Sequence, residues 1–163
     1  MERVFEAKDY DGSARFEIPF GFTTIGYDAF EGASNLETVT IPTSVTEIGN
    51  SAFDECSALK GVVIPDSVTI IGRWAFWGCR ALEHVYIPDS VTSIKPYAFQ
   101  MCSALKTITI PSSVTEIKNQ TFSGCSALTS ISIPDSVKEI GGGVFDSCLS
   151  LTSVTLGNGV ESY

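Results

Sequence analysis

Five cysteines are the residues of this chain whose type and spacing most directly point to chemistry. They recur every 23 residues, at Cys56, Cys79, Cys102, Cys125 and Cys148. Thiols can form disulfides, bind metal ions or act as nucleophiles. Five thiols cannot all pair, stacked side chains that point the same way rarely meet the disulfide dihedral, and ligands along one line cannot form a tetrahedron. The spacing therefore favours buried free thiols that pack as small apolar groups.

Other reactive residue types are sparse. His84 is the single histidine, so histidine-based metal sites and Ser/His/Asp triads are hard to build. The segment Asp9–Ser13 resembles part of a calcium loop, but Ala7 stands at the first ligand position and the bidentate Glu is absent. Catalysis needs reactive groups held in a pocket, which regularly stacked Ser, Thr and Asp side chains do not supply. We therefore expect no enzyme activity, no metal and no cofactor.

The cysteine column is one of several columns that share a 23-residue step, and such a step is typical of repeat proteins. Ile-Pro pairs begin at Ile18, Ile41, Ile64, Ile87, Ile110 and Ile133. Six of the ten Phe form a second column, namely Phe30, Phe53, Phe76, Phe99, Phe122 and Phe145. The unit reads I-P-x-S-V-T-x-I-G-x-x-A-F-x-x-C-x-x-L-x-x-V-x. Six full copies run from residue 18 to residue 155.

This repeat predicts a β-dominated solenoid with parallel, in-register strands. A unit of 23 residues cannot close a core alone, so it buries its apolar columns against those of its neighbours. Alternation in 128–133 places Ile131 and Ile133 inward, and Pro134 ends that strand. The spacing that follows predicts a second short strand on another face. The stretch from the small residue before Phe to Cys is too short for an independent α-helix and predicts one helical or 3₁₀ turn.

The unit resembles the BspA-type (Treponema pallidum-type) leucine-rich repeat over residues 18–160. The resemblance implies a curved, β-rich solenoid of the leucine-rich-repeat type, used in bacterial surface adhesion and host-protein binding. It implies a binding module and carries over no catalytic residues, because the motif contains only scaffold positions. Cell-surface or secreted localisation would follow from it.

The two ends differ from the repeat. Residues 1–17 hold two apolar segments around Asp11-Gly12, which predicts an N-terminal capping hairpin over the first of the six repeats in 18–155. Residues 156–163 begin a seventh repeat that stops before its Phe and Cys positions. An uncovered last repeat presents open strand edges. Either the chain is part of a longer array or this end pairs with a partner, so a homo-oligomer formed through the C-terminal edge is a second hypothesis.

Charge limits the classes of partner. The net charge of −9 argues against nucleic acid, because phosphate binding requires a basic surface. No apolar run is long enough for a membrane span. The charged start, MERVFEAKDYDGSARF, does not resemble a signal peptide. The compartment therefore stays open between the cell surface that the resemblance implies and the cytoplasm.

The third repeat is the most unusual in its outward residues. It contains both tryptophans and the single histidine, and the next repeat adds an aromatic residue to the Trp74 column. Exposed Trp, Tyr and Arg dominate binding hot spots, and stacked aromatics also suit sugar rings. The candidate partner-binding residues are Arg73, Trp74, Trp77, Arg80, His84, Tyr86 and Tyr97. The alternative is that the two Trp side chains pack over neighbouring loops and stiffen that edge.

These patterns together predict a non-catalytic protein-interaction or adhesion module, with a protein or a glycan as partner. The competing hypothesis is a structural subunit that self-assembles through its C-terminal edge.

Overall fold

The computed structural model describes residues 1–163. Short parallel strands stack into two sheets, which form two sides of a solenoid, and there is very little helix. Sheet A is formed by the second strand of each repeat: β1 (Val4–Phe5), β3 (Thr24–Ile25), β5 (Glu47–Ile48), β7 (Ile70–Ile71), β9 (Ser93–Ile94), then β10 (Glu116–Ile117) and β12 (Glu139–Ile140). Sheet B is formed by the first strand of each repeat: β2 (Arg15–Glu17), β4 (Thr38–Thr40), β6 (Gly61–Val63), β8 (His84–Tyr86), then β11 (Ser130–Ile133) and β13 (Ser153–Leu156). The two-stranded solenoid expected from the sequence is confirmed.

Neighbouring strands pair in parallel at a constant register. Glu47 lies opposite Ile70, and Thr38 lies opposite Gly61, each 23 residues further along. Identical columns therefore stack on one another. Period-2 alternation buries the middle residue of most sheet B strands and exposes its neighbours, as Val85 between His84 and Tyr86 illustrates.

A third side of the solenoid carries no strand. We call it the ridge; it consists of residues 27–33 and their equivalents in each later repeat. Its turns are closed by i→i−3 hydrogen bonds, such as Ala33 N–H to Phe30 C=O at 3.0 Å. Alternate amides instead donate to the next repeat, as Phe30 N–H does to Ala52 C=O at 2.8 Å. Two left-handed residues in every ridge turn prevent a continuous 3₁₀ helix, and the first turn has them at Asp28 and Gly32.

The core is a ladder of stacked phenylalanines. The rings of Phe30 and Phe53 are 4.9 Å apart and 5° from parallel, and Phe53 and Phe76 follow at 5.1 Å. The spacing widens towards the C-terminus, to 5.9 Å between Phe99 and Phe122. Leu, Ile, Val and Cys columns surround the ladder and form one continuous hydrophobic cluster.

The N-terminal segment does not form the hairpin that Asp11-Gly12 predicts. β1 pairs with β3 and β2 pairs with β4, both in parallel, so residues 1–17 make an irregular extra turn of the solenoid. A 3₁₀ turn at Ala7–Asp9 connects the two strands. The Phe5 ring stacks 5.0 Å from Phe30 and extends the ladder, although its backbone lies in the isoleucine column. Each N-terminal strand pairs with a strand of the first full repeat, because that strand carries the matching apolar column.

Both sheets are interrupted around residues 106–118. Sheet A breaks between β9 and β10, and sheet B has no assigned strand at 105–110. The ridge continues across the break, with Phe99 N–H donating to Thr121 C=O at 3.0 Å.

Candidate functional site

Trp74 and Tyr97 form an aromatic pair on the ridge. Both stand at the first left-handed position of their turn, with φ of 56° and 63°. Their rings stack with centroids 5.5 Å apart and planes 21° from parallel. Trp74 remains 39% exposed while its neighbour Ala75 is fully buried. The same backbone that buries the Ala and Phe columns thus holds these rings outward.

Arg73 contacts this pair, and Trp77 lies on the same ridge turn as Trp74. The Arg73 guanidinium carbon lies 5.3 Å from the centroid of the Trp74 ring, a cation–π contact. Trp77 is half-buried, and its indole N–H donates to Gln100 Oε1 at 3.0 Å. Gln100 Nε2 in turn donates to Gln120 Oε1 at 2.7 Å. The two glutamines were not identified from the sequence, although Gln100 follows Trp77 by one repeat length.

Arg80 marks a change of charge sign along the ridge. Its guanidinium lies 3.4 Å from Glu55 Oε1, with both groups substantially exposed, so the pair contributes little to stability. Glu55 belongs to an acidic group with Asp28, Glu31 and Asp54 on the first two repeats. Partial burial, together with Glu31, Glu55 and Asp28, raises the pKa of Asp54 to about 6. The ridge is therefore acidic up to Glu55 and basic at Arg73 and Arg80.

His84 and Tyr86 lie on the outer face of β8 and not on the ridge. They line a shallow pocket of about 500 Å³ with Gly61 and Val63, which face outward from β6. Val63 is 69% exposed and Tyr86 is 58% exposed. Gly61 and Val63 were not among the predicted site residues, although the missing side chain of Gly61 opens the pocket. A signal was present in the sequence, because Thr38 and Thr40 in the preceding repeat occupy the outward positions that Gly61 and Val63 hold here.

The structure thus divides the predicted site into two surfaces. We call Arg73, Trp74, Trp77, Arg80 and Tyr97 the ridge patch, and Gly61, Val63, His84 and Tyr86 the sheet pocket. Neither surface carries an activated nucleophile or a base paired with one. No group of three or more His, Cys, Asp or Glu side chains is arranged to hold a metal ion.

The calcium-like loop has a plain structural role. The Asp9 carboxylate accepts from the Glu6 backbone N–H at 2.9 Å, and the Asp11 carboxylate accepts from the Ser13 N–H at 2.9 Å. Both side chains therefore stabilise turns.

Comparison with known proteins identifies the repeat. A model of the BspA type leucine-rich repeat region matches six copies, over residues 8–127 and 55–163. The chain belongs to this family. BspA-type repeats are generally protein-interaction modules and generally non-catalytic.

Solved structures of leucine-rich repeat proteins have the same fold. The T. pallidum leucine-rich repeat protein is similar with a TM-score of 0.74 and 25% identity, over 86% of this chain and 79% of that one. A leucine-rich repeat protein from Bacteroides ovatus is similar with a TM-score of 0.68 and 32% identity, over 93% of this chain. The match covers 48% of the Bacteroides chain, so this chain spans about half its length. A comparison with curated protein sequences gave no match.

None of the helical segments is long and apolar enough to cross a membrane.

Proposed function

We propose that this chain is a non-catalytic interaction or adhesion module that binds a protein partner through the ridge patch. The stacked Trp74–Tyr97 pair, flanked by Arg73, carries the proposal. Its rings are held by the backbone and by each other, so little side-chain freedom is lost on binding. Aromatic and Arg side chains of this kind contribute most of the energy in protein interfaces.

The sheet pocket supports the same function from a second face. Exposed Val63 and Tyr86 around Gly61 offer apolar surface to one inserted side chain of a partner. A glycan is the alternative ligand for the stacked aromatic pair, because sugar rings pack on aromatic faces.

The test compares captured partners between variants. Purified wild type, Trp74→Ser/Tyr97→Ser and Tyr27→Ser are used as bait, and binding of each captured protein is then measured by calorimetry with purified components. Tyr27 is a matched control, because it is an exposed ridge aromatic two repeats away. We expect the double variant to lose at least about ten-fold in affinity while Tyr27→Ser binds as wild type. Equal affinity of all three baits contradicts the ridge patch, and selective binding to a glycan array replaces the protein by a sugar.

Self-assembly through the C-terminal edge is the second candidate, and β13 favours it. β13 pairs with β11 on one side only, and Val154 and Leu156 on it are 40% and 49% exposed. Sedimentation velocity over a range of concentrations tests this. A mass that rises with concentration and falls back in Leu156→Lys supports self-assembly, whereas a constant monomer mass contradicts it.

A further inference from the structure

One position in the repeat decides how closely neighbouring sheet A strands approach. It follows the second Ile of the unit and is occupied by Gly26, Gly49, Gly72, Lys95, Lys118 and Gly141. A Cβ added to Gly49 would lie 2.6 Å from Ile25 C=O, and one added to Gly72 would lie 2.5 Å from the Gly49 carbonyl carbon. No real Cβ tolerates such contacts. The closest stacking therefore favours glycine here, but a single lysine is accepted, because Lys95 N–H still donates to Ile71 C=O at 2.9 Å and β9 pairs with β7. Lys95 and Lys118 are the two lysines that follow each other in this column.

The hydrogen bonds of sheet A fail where the two lysines face each other. Gly72 N–H donates to Ile48 C=O at 2.8 Å, and Thr69 N–H donates to Thr46 C=O at 2.9 Å. The equivalent amides of Lys118 and Thr115 have no backbone acceptor, and β9 and β10 are not paired. Lys118 is only half-exposed and forms an ion pair with Glu116.

Sheet B is open at this level and also at the next, between 106–110 and 129–133. Residues 106–110 make no backbone hydrogen bond to the repeat on either side. Two side chains still bridge this level: Lys106 Nζ donates to Glu83 Oε2 at 2.7 Å, and at the corner between the sheets Ser113 Oγ donates to Val91 C=O at 2.6 Å. Residues of 92–95 and 115–118 line a shallow surface pocket of about 250 Å³ at this level.

The ridge, by contrast, is closed across this level. Tyr97, Phe99 and Met101 each donate a backbone hydrogen bond to the next repeat, at 3.1, 3.0 and 2.7 Å. Backbone hydrogen bonds therefore join the two repeats at the ridge, whereas none joins them in sheet A or sheet B. This is the arrangement of a hinge at the ridge turn 97–101, with its axis across the direction in which the repeats stack.

We propose that the solenoid is divided at this seam, between residues 83–95 and 106–118, into two bodies that flex against each other about the ridge. The Lys95–Lys118 pair causes the division by holding the two sheet A backbones apart. Tyr97 of the ridge patch adjoins the hinge axis, so flexing would change the angle between the patch and the following repeats. The division itself does not depend on the proposed binding function.

Amide hydrogen exchange on the full chain tests the open bonds. Exposed, unpaired amides exchange faster than those in a closed ladder. We expect the Thr115 and Lys118 amides to exchange at least about ten-fold faster than the equivalent Thr69 and Gly72 amides. Equal exchange rates for these two pairs of amides would contradict the open seam.

Restoring the glycine column tests the cause. Lys118→Gly should slow exchange of the Thr115 and residue 118 amides by at least about ten-fold. Lys60→Gly is the control, because it removes an exposed lysine from sheet B without touching this column. Exchange that stays unchanged in Lys118→Gly, or that slows equally in Lys60→Gly, overturns the role of the lysine pair.

Spin-label distances test the flexing with two matched pairs. Thr46→Cys/Thr92→Cys and Thr69→Cys/Thr115→Cys each span two repeats of one exposed column, and the second pair alone crosses the seam. We expect a broader distance distribution for the second pair, and narrowing of it in Lys118→Gly. Identical widths for both pairs show a rigid stack and contradict the hinge.

Discussion

At the scale of single residues, the cysteines act as structural hydrogen-bond donors. Each thiol lies against the carbonyl of the Phe in the preceding repeat, with Sγ–O distances from 3.0 Å at Cys56 to 3.3 Å at Cys125. Burial raises the pKa of Cys56 to about 12 and that of Cys102 well above its usual value. Ala33 takes this position in the first repeat, where no ridge Phe precedes it and no thiol is needed. The column is therefore part of the scaffold and not a reactive site.

The first prediction concerns thiol reactivity. A thiol reagent such as Ellman's reagent attacks the thiolate, and burial both hides the sulfur and opposes its ionisation. At pH 8 the folded chain should react far more slowly than the chain unfolded in guanidinium. Cys148, in the last full repeat, should react first because its burial is least complete. Rapid reaction of all five thiols in the folded chain contradicts this assignment.

The second prediction follows from the raised pKa of Asp54. Its pKa of about 6 in the folded state lies above the unfolded value of about 3.9. The folded chain therefore binds more protons between these values, so this contribution to stability is present below about pH 4 and is lost as pH rises through 6. Asp54→Asn should raise the denaturation midpoint at pH 7 and change it much less at pH 4. Asp89→Asn, on an exposed corner of another repeat, is the control. A stability gain of equal size at pH 7 and pH 4 would contradict the ionisation of partly buried Asp54 as its cause.

At the scale of the element, the ridge turn is the unit that specifies this solenoid. Each turn needs two left-handed residues, and most of them are not glycine. A non-glycine residue in this conformation costs roughly 1 kcal/mol or more. Trp74 and Tyr97 carry that cost, which links the backbone of the ridge to the aromatic pair.

The third prediction tests the left-handed positions with opposite substitutions. Ser147→Gly should raise the free energy of unfolding by about 1 kcal/mol, because Ser147 has a φ of 57° and is exposed. Gly32→Ala should lower it by a similar amount, although a Cβ there would meet no neighbouring atom. Denaturant titration measures both. If Gly32→Ala has no effect, steric space and not backbone conformation governs this column.

At the scale of the whole molecule, the sequence determined the regular part of the fold and missed its exceptions. The columns of Ile, Phe, Cys and Leu predicted both strands of each repeat, because burial fixes register in stacked units. The hairpin was wrong because Asp11-Gly12 is a local turn signal, whereas β1 and β2 are held by distant parallel edges. The departure of Lys95 and Lys118 from glycine was visible, but its effect depends on the distance from a Cβ to the next backbone.

The candidate site was predictable by residue type and not by location. Trp74, Tyr97 and Arg73 do come together, because they occupy ridge positions of adjacent repeats. His84 and Tyr86 follow them closely in sequence, yet they turn onto sheet B. The pocket beside them required Gly61, whose contribution is an absent side chain, and residue-type arguments do not detect that.

The placement of both tryptophans has a spectroscopic consequence. Trp74 and Trp77 lie in the third repeat, before the seam, so intrinsic tryptophan fluorescence reports the N-terminal body, whereas far-UV circular dichroism reports every repeat. In the fourth prediction, the smaller C-terminal body unfolds at a lower denaturant concentration, so the dichroism transition begins before the fluorescence transition. Lys118→Gly should bring the two curves together, and coincident curves in the wild type would show a single cooperative unit. The two tryptophans therefore report unfolding of the N-terminal body separately from that of the C-terminal body.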